Sequence, residues 1–157
     1  MNVTIYGKPN KCQRKIIRKA AHFYGSCLIS DRLSNNVCIT IKFKKNFLKR
    51  EYFYGVCDAL DINRPRDFDI EIDADLTFEE TLSVLAHELV HVKQYVTGQL
   101  KDYSTSKKTK WKGKIHFNEC GYGLIDTAYW NAPWEKEAYR LEKTLTRKFM
   151  KHLMEVS

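Results

Sequence analysis

The residues with the clearest chemical potential in this chain are His87-Glu88-Leu89-Val90-His91. Histidines at i and i+4 lie one above the other on a helix face. That spacing lets two imidazole nitrogens reach one ion at about 2.0–2.1 Å each. Glu88 then points beside the ion rather than at it, where its carboxylate can take a proton from water bound there. Zinc lowers the pKa of such water to about 7, so a neutral-pH base suffices. The plain alternative is a pair of surface histidines with an incidental acid between them. Against it, Leu85, Leu89, Val90 and Val92 surround the pair, and histidines embedded among apolar neighbours need polar partners.

The element that positions these residues is well signalled. Thr77-Phe-Glu-Glu80 fits a capping box with Thr77 as N-cap, and Phe78, Leu82, Leu85, Leu89, Val92 and Val96 continue a helical period. Gly98 is a natural stop. Before it, Phe68-Asp-Ile-Glu-Ile-Asp73 alternates strictly, with Phe68, Ile70 and Ile72 on one face. This is the pattern of a half-exposed strand, expected at a sheet edge.

Around this pair the sequence predicts a helix from Asn10 to about Cys27 and strands at Val37–Phe43 and Tyr52–Cys57, followed by a turn over Asn63–Arg66. Residues 99–114 are basic and rich in Ser and Thr. They read as a mobile loop, with Trp111–Ile115 as a short strand or ribbon edge, and Gly121–Tyr129 is ambiguous. Asn131-Ala-Pro-Trp134 opens a last helix whose stripe is Trp134, Ala138, Leu141, Leu145, Phe149 and Leu153. The expectation is one α+β domain over residues 1–157: an N-terminal helix, a small mainly antiparallel sheet, the metal helix and a C-terminal helix.

Composition bounds the function. At 157 residues the chain can bury one core, and no stretch approaches the roughly 20 apolar residues of a membrane span. The first ten residues lack the apolar core of a secretory signal. Five cysteines, at 12, 27, 38, 57 and 120, show no CxxC pair. They read as free thiols of a reducing compartment, which points to the cytoplasm. The net charge is +8, with Lys8–Lys19, Lys42–Arg50 and Lys101–Lys114 especially basic. Such a surface is either a solvated face or a site for nucleic acid.

His87-Glu-Leu-Val-His91 after an alternating strand resembles the core of the zincin metallopeptidases. The stretch through Tyr95, with Pro133-Trp-Glu-Lys-Glu-Ala138, is also similar to small metallopeptidase-like proteins encoded by bacteriophages, which implies a host cytoplasm. The resemblance spans roughly residues 67 to 145 and implies hydrolysis of protein or peptide substrates at a Zn2+ ion. It further implies that Phe68–Asp73 pairs with extended substrate as the edge strand, and that Glu88 is the catalytic base. In zincins with a glutamate third ligand the pattern is Glu-x-x-small-Asp. It maps onto Glu135 with Ala138 as the small residue, giving a metal set of His87, His91 and Glu135. With Glu137 as ligand, Arg140 would fall at the close helix contact, a poor fit. Tyr139 stands where Asp is common, so the group orienting a ligand histidine must come from elsewhere, Glu137 being one candidate. His116 is a rival third ligand by similarity to the Spartan-type proteases, or an oxyanion stabiliser, as are Tyr122 and Tyr129. That similarity also raises a nucleic-acid-associated protease, and a non-catalytic binding module with a structural metal is a third alternative.

Overall fold

The computed structural model describes residues 1–51, 53–103, 108–117 and 130–156. In chain order the elements are β1 (Asn2–Tyr6), α1 (Lys11–Leu28), α2 (Asp31–Ser34), β2 (Cys38–Lys44), α3 (Phe47–Glu51), β3 (Gly55–Ala59), β4 (Asp67–Asp73) and α4 (Phe78–Val96). After these come β5 (Leu100–Tyr103), β6 (Lys108–Trp111), β7 (Lys114–Phe117) and α5 (Pro133–Val156). The class is α+β.

The larger sheet has the order β1-β2-β4-β3. β1 pairs with β2 and β2 with β4 in parallel, whereas β3 runs antiparallel to β4. The antiparallel character expected from sequence therefore holds for β3–β4 and for the second sheet, β5-β6-β7, but not for the rest. The chain path explains it. β1, five residues with only Val3 and Ile5 buried, is a strand the hydrophobic pattern hardly announces. Once it is in place, the 18-residue α1 becomes a crossover connection, which joins parallel strands.

Register puts Ile39 between Val3 and Phe68, and Ile41 between Ile5 and Ile70, and all of these are buried. The other face of the sheet is polar, with Lys42 paired to Asp69 at 2.6 Å and Lys44 to Glu71 at 3.3 Å. Pairs this exposed are screened by solvent and contribute little, so they solvate that face more than they hold it.

β4 lies inside the sheet, between β2 and β3, and is not the edge strand. Strict alternation reports that one face is buried and the other polar. It says nothing about whether ladder partners stand on one side or both. The edge next to β4 is β3, and among the described residues no strand pairs with its other side. Asp73, at the end of β4, is buried and accepts hydrogen bonds from the backbone N–H of Leu48 (2.7 Å) and of Asp75 (2.8 Å). It thereby fixes the start of α3, a short helix that the sequence did not signal. Of the expected strand Tyr52–Cys57, Tyr52 lies outside the described residues, and pairing begins at Gly55.

α1 and α4 pack on the apolar face of the sheet, and α5 packs against those two helices. Tyr24 of α1 meets Phe149 of α5 at 5.5 Å between ring centroids, and its hydroxyl donates to the Leu82 carbonyl of α4 at 3.3 Å. The α5 stripe turns inward as its period demands: Ala138, Leu145 and Phe149 are buried, and Trp134, Leu141 and Leu153 partly so. Among the described residues no helix is long and apolar enough to cross a membrane.

Within residues 99–114 the structure places two strands of a ribbon, β5 and β6, where sequence suggested a loop. The alternation was hidden by the lysines of its outer face. Leu100 and Trp111, opposite one another in the ladder, are buried, as is Thr109 beside Asp102. Lys112 and Gly113, at φ 45° and 88°, make the two-residue turn into β7. Two consecutive positive φ values match the twist of a tight hairpin. Gly98, at φ 72°, ends α4 as expected, with its N–H donating to the Tyr95 carbonyl at 3.0 Å.

Candidate metal centre

α4 is held at its start by the capping box. The Thr77 N–H donates to Glu80 Oε2 at 2.8 Å, and the Glu80 N–H to Thr77 Oγ1 at 3.3 Å. Three turns further on, His87 and His91 share a face, with ring centroids 4.9 Å apart. Glu135, in the first turn of α5, is 2% exposed and closes the third side.

The distances within this group are telling. His87 Nε2 and His91 Nε2 are 3.2 Å apart. Glu135 sets Oε2 at 3.2 Å from His87 Nε2 and Oε1 at 3.4 Å from His91 Nε2. Ligands about 2.0–2.1 Å from a tetrahedral ion stand about 3.3–3.4 Å from one another. Among the described residues these three offer ligand atoms close enough together to hold a metal ion.

The surrounding residues fix which nitrogen faces the centre. His87 Nδ1 lies 3.1 Å from Glu142 Oε2, and Ser83 Oγ donates to Glu142 Oε1 at 2.6 Å. His91 Nδ1 lies 2.9 Å from Gln94 Oε1, while Gln94 Nε2 donates to the Trp134 carbonyl (3.0 Å) and to Glu137 Oε2 (3.1 Å). With acceptors at both Nδ1 atoms, each neutral imidazole carries its proton there and turns the Nε2 lone pair inward. Two lone pairs and a carboxylate converging at such distances repel unless a cation or protons sit between them. The donor set thus fits a metal ion.

Without an ion, protons take that place. Burial opposes charging His87, but hydrogen bonds with Glu135 and Glu142 outweigh it and raise its pKa to about 10. Burial would likewise raise Glu135, yet its hydrogen bonds with His87 and His91 hold it down at about 2. Glu88, 4% exposed, is pushed up to about 7 by burial, with the two histidines opposing.

These residues line one cleft of about 270 Å³. Phe53 to Cys57, the stretch that leads into β3 and begins it, forms one wall. Gly55 lets that strand approach α4: a Cβ there would meet Val84 Cγ1 at 2.6 Å and Glu88 Oε1 at 2.8 Å. An aromatic ladder runs outward from His87 through Tyr139 (4.6 Å), Trp130 (6.0 Å) and Phe53 (5.9 Å).

Of the residues singled out from sequence, His87, His91 and Glu135 come together, with Glu88 in the same cleft. Glu137 stands apart from the ligand group: it binds Lys93 at 2.9 Å and Lys112 at 3.2 Å and steadies Gln94. Ala138 is wholly buried and Arg140 exposed. Among the described residues His116, on β7, does not join the ligand group; its ring packs on Trp134 at 5.5 Å, and its buried Nε2 finds no hydrogen-bond partner among them. Tyr122 and Tyr129 lie outside the described residues. Sequence reading missed Glu142, Ser83 and Gln94. Glu142 carried a usable signal, seven residues beyond Glu135 and so on the same face of α5. Comparison with protein-family models, with curated proteins and with solved structures returned no match.

Proposed function

We propose that this chain is a zinc-dependent metallopeptidase of the zincin type. The observation that carries the reading is the convergence of two Nε2 lone pairs and one buried carboxylate at tetrahedral-edge spacing, with Glu88 beside them. His87, His91 and Glu135 would hold the ion, and the absence of a fourth protein ligand among the described residues suits hydrolysis better than a closed structural site. Bound there, zinc supplies Lewis acidity toward a scissile carbonyl and lowers the pKa of water.

The rest is the work of the chain's own residues. Glu88, with a pKa raised to about 7 by burial, is placed to accept the proton of the attacking water and return it to the leaving amine. Glu142 and Gln94 hold the two imidazoles in register. β3, whose outer edge no described strand pairs and which lines the cleft, replaces β4 as the strand against which an extended peptide would pair.

The test is metal content and turnover of one preparation. Wild type should carry one zinc per chain and cleave an unstructured protein. Glu88→Gln should keep the zinc and lose at least about 100-fold in rate, the usual contribution of a positioned base. Full activity in Glu88→Gln, or zinc retained in Glu135→Ala, would overturn the assignment.

A second reading has an observation of its own. A groove between α1 and α5 is lined by Lys15, Arg18, Lys19, His22 and His152, with no acidic residue among its lining. This suits a protease that acts on proteins bound to nucleic acid. Salt-dependent binding of duplex or single-stranded DNA, with cleavage stimulated by it, is the expected result; neither effect at moderate salt would dismiss it.

A further inference from the structure

Beyond His91 the cleft continues along α4 into a region lined by Tyr95, Leu100, Thr109, Trp134 and one acid, Asp102. Asp102 sits on β5 two residues from Leu100, so both share the inner face of the ribbon. Three carboxylates of the cleft, Glu88, Glu135 and Glu142, are accounted for by the metal site. Asp102 is not. In a chain of net charge +8 it is an acid lining the cleft, while four of the described lysines nearby are engaged elsewhere. Lys101 Nζ reaches Asn63 Oδ1 at 3.3 Å, Lys112 and Lys93 bind Glu137, and Lys108 lies over the Phe117 ring at 5.4 Å. Among the described residues no cation pairs with Asp102, whose side chain takes a long hydrogen bond from Thr109 Oγ1, at 3.5 Å, and one from the Tyr103 backbone.

We propose that Asp102 is the charged end of a subsite that receives a basic side chain of the substrate, lysine or arginine, next to the scissile bond. The inference rests on the metallopeptidase reading of the same cleft. Its chemistry is that of a long cationic side chain, which lays an aliphatic stem on apolar surface and carries its charge at the tip. Tyr95, Leu100 and Trp134 supply the surface for the stem, and Asp102 the counter-charge. Burial raises the Asp102 carboxyl above its ordinary pKa, with Thr109 and the Tyr103 backbone opposing. A seated cation would relieve that cost of desolvation, whereas an acidic guest would add to it.

The test separates this inference from the reaction it serves. Peptide hydroxamates, which bind a zinc centre without being cleaved, would be made with lysine, arginine, norleucine or glutamate at the residue flanking the chelating group. Their affinities for the zinc-loaded protein would be measured by calorimetry. The lysine and arginine compounds are expected to bind at least about tenfold more tightly than norleucine, with glutamate weakest. Asp102→Asn should bring the lysine-to-norleucine ratio to near one, and Asp102→Glu, which keeps the charge, should restore part of it. Equal affinities in wild type would overturn the inference and leave the metal site standing, as would a preference that survives Asp102→Asn. No binding by any hydroxamate would overturn the reading of the cleft and the inference with it. Lysine-selective binding without cleavage of the matching amide would sink the peptidase reading alone.

Discussion

Glu135 and Glu137 are two residues apart and chemically identical, yet the fold gives them different work. Glu135 faces two imidazoles, and Glu137 faces two lysines and the amide of Gln94. If the proposed zinc site is right, Glu135→Ala removes a ligand and should abolish stoichiometric zinc binding. Glu137→Ala leaves the ligands intact but frees Gln94, and with it the orientation of His91. Glu142→Ala acts the same way on His87. Loss of a group that orients a ligand weakens metal binding by about 10- to 100-fold. Competition with a chelator of known affinity should therefore rank the variants: wild type tightest, Glu137→Ala and Glu142→Ala intermediate, Glu135→Ala without measurable site. Equal affinity of Glu142→Ala and wild type would show that Glu142 does not orient His87. The histidine pair could be read from its i, i+4 spacing, a local pattern, whereas Glu135 followed only from the resemblance, since Glu135 and Glu137 are both first-turn acids. The orienting groups could not be read from sequence, since Glu142 meets His87 across 55 positions and Gln94 meets Trp134 across 40. Such contacts depend on how two helices are docked, which no local pattern encodes.

The elements meet most tightly where β3 crosses α4. Gly→Ala in a strand ordinarily gains about 0.5–1 kcal/mol by restricting the unfolded chain. At Gly55 the sign reverses, because the new methyl would overlap Val84 and Glu88. Overpacking of this kind costs about 1–3 kcal/mol. Gly55→Ala is expected to lower the melting temperature and to cut kcat more than zinc affinity, since it presses on Glu88 and touches no ligand. Zinc titration beside steady-state kinetics distinguishes this from general unfolding. The opposite end of α4 offers a milder perturbation: Thr77→Ala should cost about 1 kcal/mol by losing the cap. Its partner Glu80 is held below its ordinary pKa by hydrogen bonds from the Thr77 side chain and backbone. A depressed carboxyl contributes stability above its unfolded pKa and loses it as pH falls through the folded value. The gap between wild type and Glu80→Gln should then close on acidification below about pH 4.5, where a glutamate carboxyl ordinarily titrates. A gap that stays constant from about pH 7 to about pH 3 would contradict this. α4 and α5 could be read from their caps and stripes, which are local. β4 showed its faces but not its neighbours, and the ribbon concealed its period under lysines. The parallel pairing of β1 and β2 emerged only once a five-residue strand was placed beside a segment more than thirty residues away.

The molecule is built so that its last helix is secured to the rest through the centre. α5 meets α4 by the Glu135 and Glu142 contacts to His87, by Ser83 to Glu142, by Gln94 to the Trp134 carbonyl and by Lys93 to Glu137. Most of these lie in the first three turns of α5, while Leu145 and Phe149 anchor its middle in the core. A metal ion held by two ligands from α4 and one from α5 binds only when both helices are docked, so its binding energy is also docking energy. At a free zinc concentration of about 1,000 times Kd the folded state gains about 4 kcal/mol. For a domain of this length each kcal/mol shifts the melting temperature by about 2–4 °C, so a chelator should lower it by roughly 10 °C. Ligating imidazoles must be unprotonated, so this zinc-dependent shift should grow as pH rises from about 6 to 8. Glu88→Gln should retain the full shift and Glu135→Ala should lose it. Amide hydrogen exchange adds the spatial half of the test: on chelation, protection should fall first at the start of α5 and around His87, while the stretch around Phe149 stays protected by the core. Uniform loss of protection along α5 would mean that the core, rather than the centre, sets where this helix begins to detach.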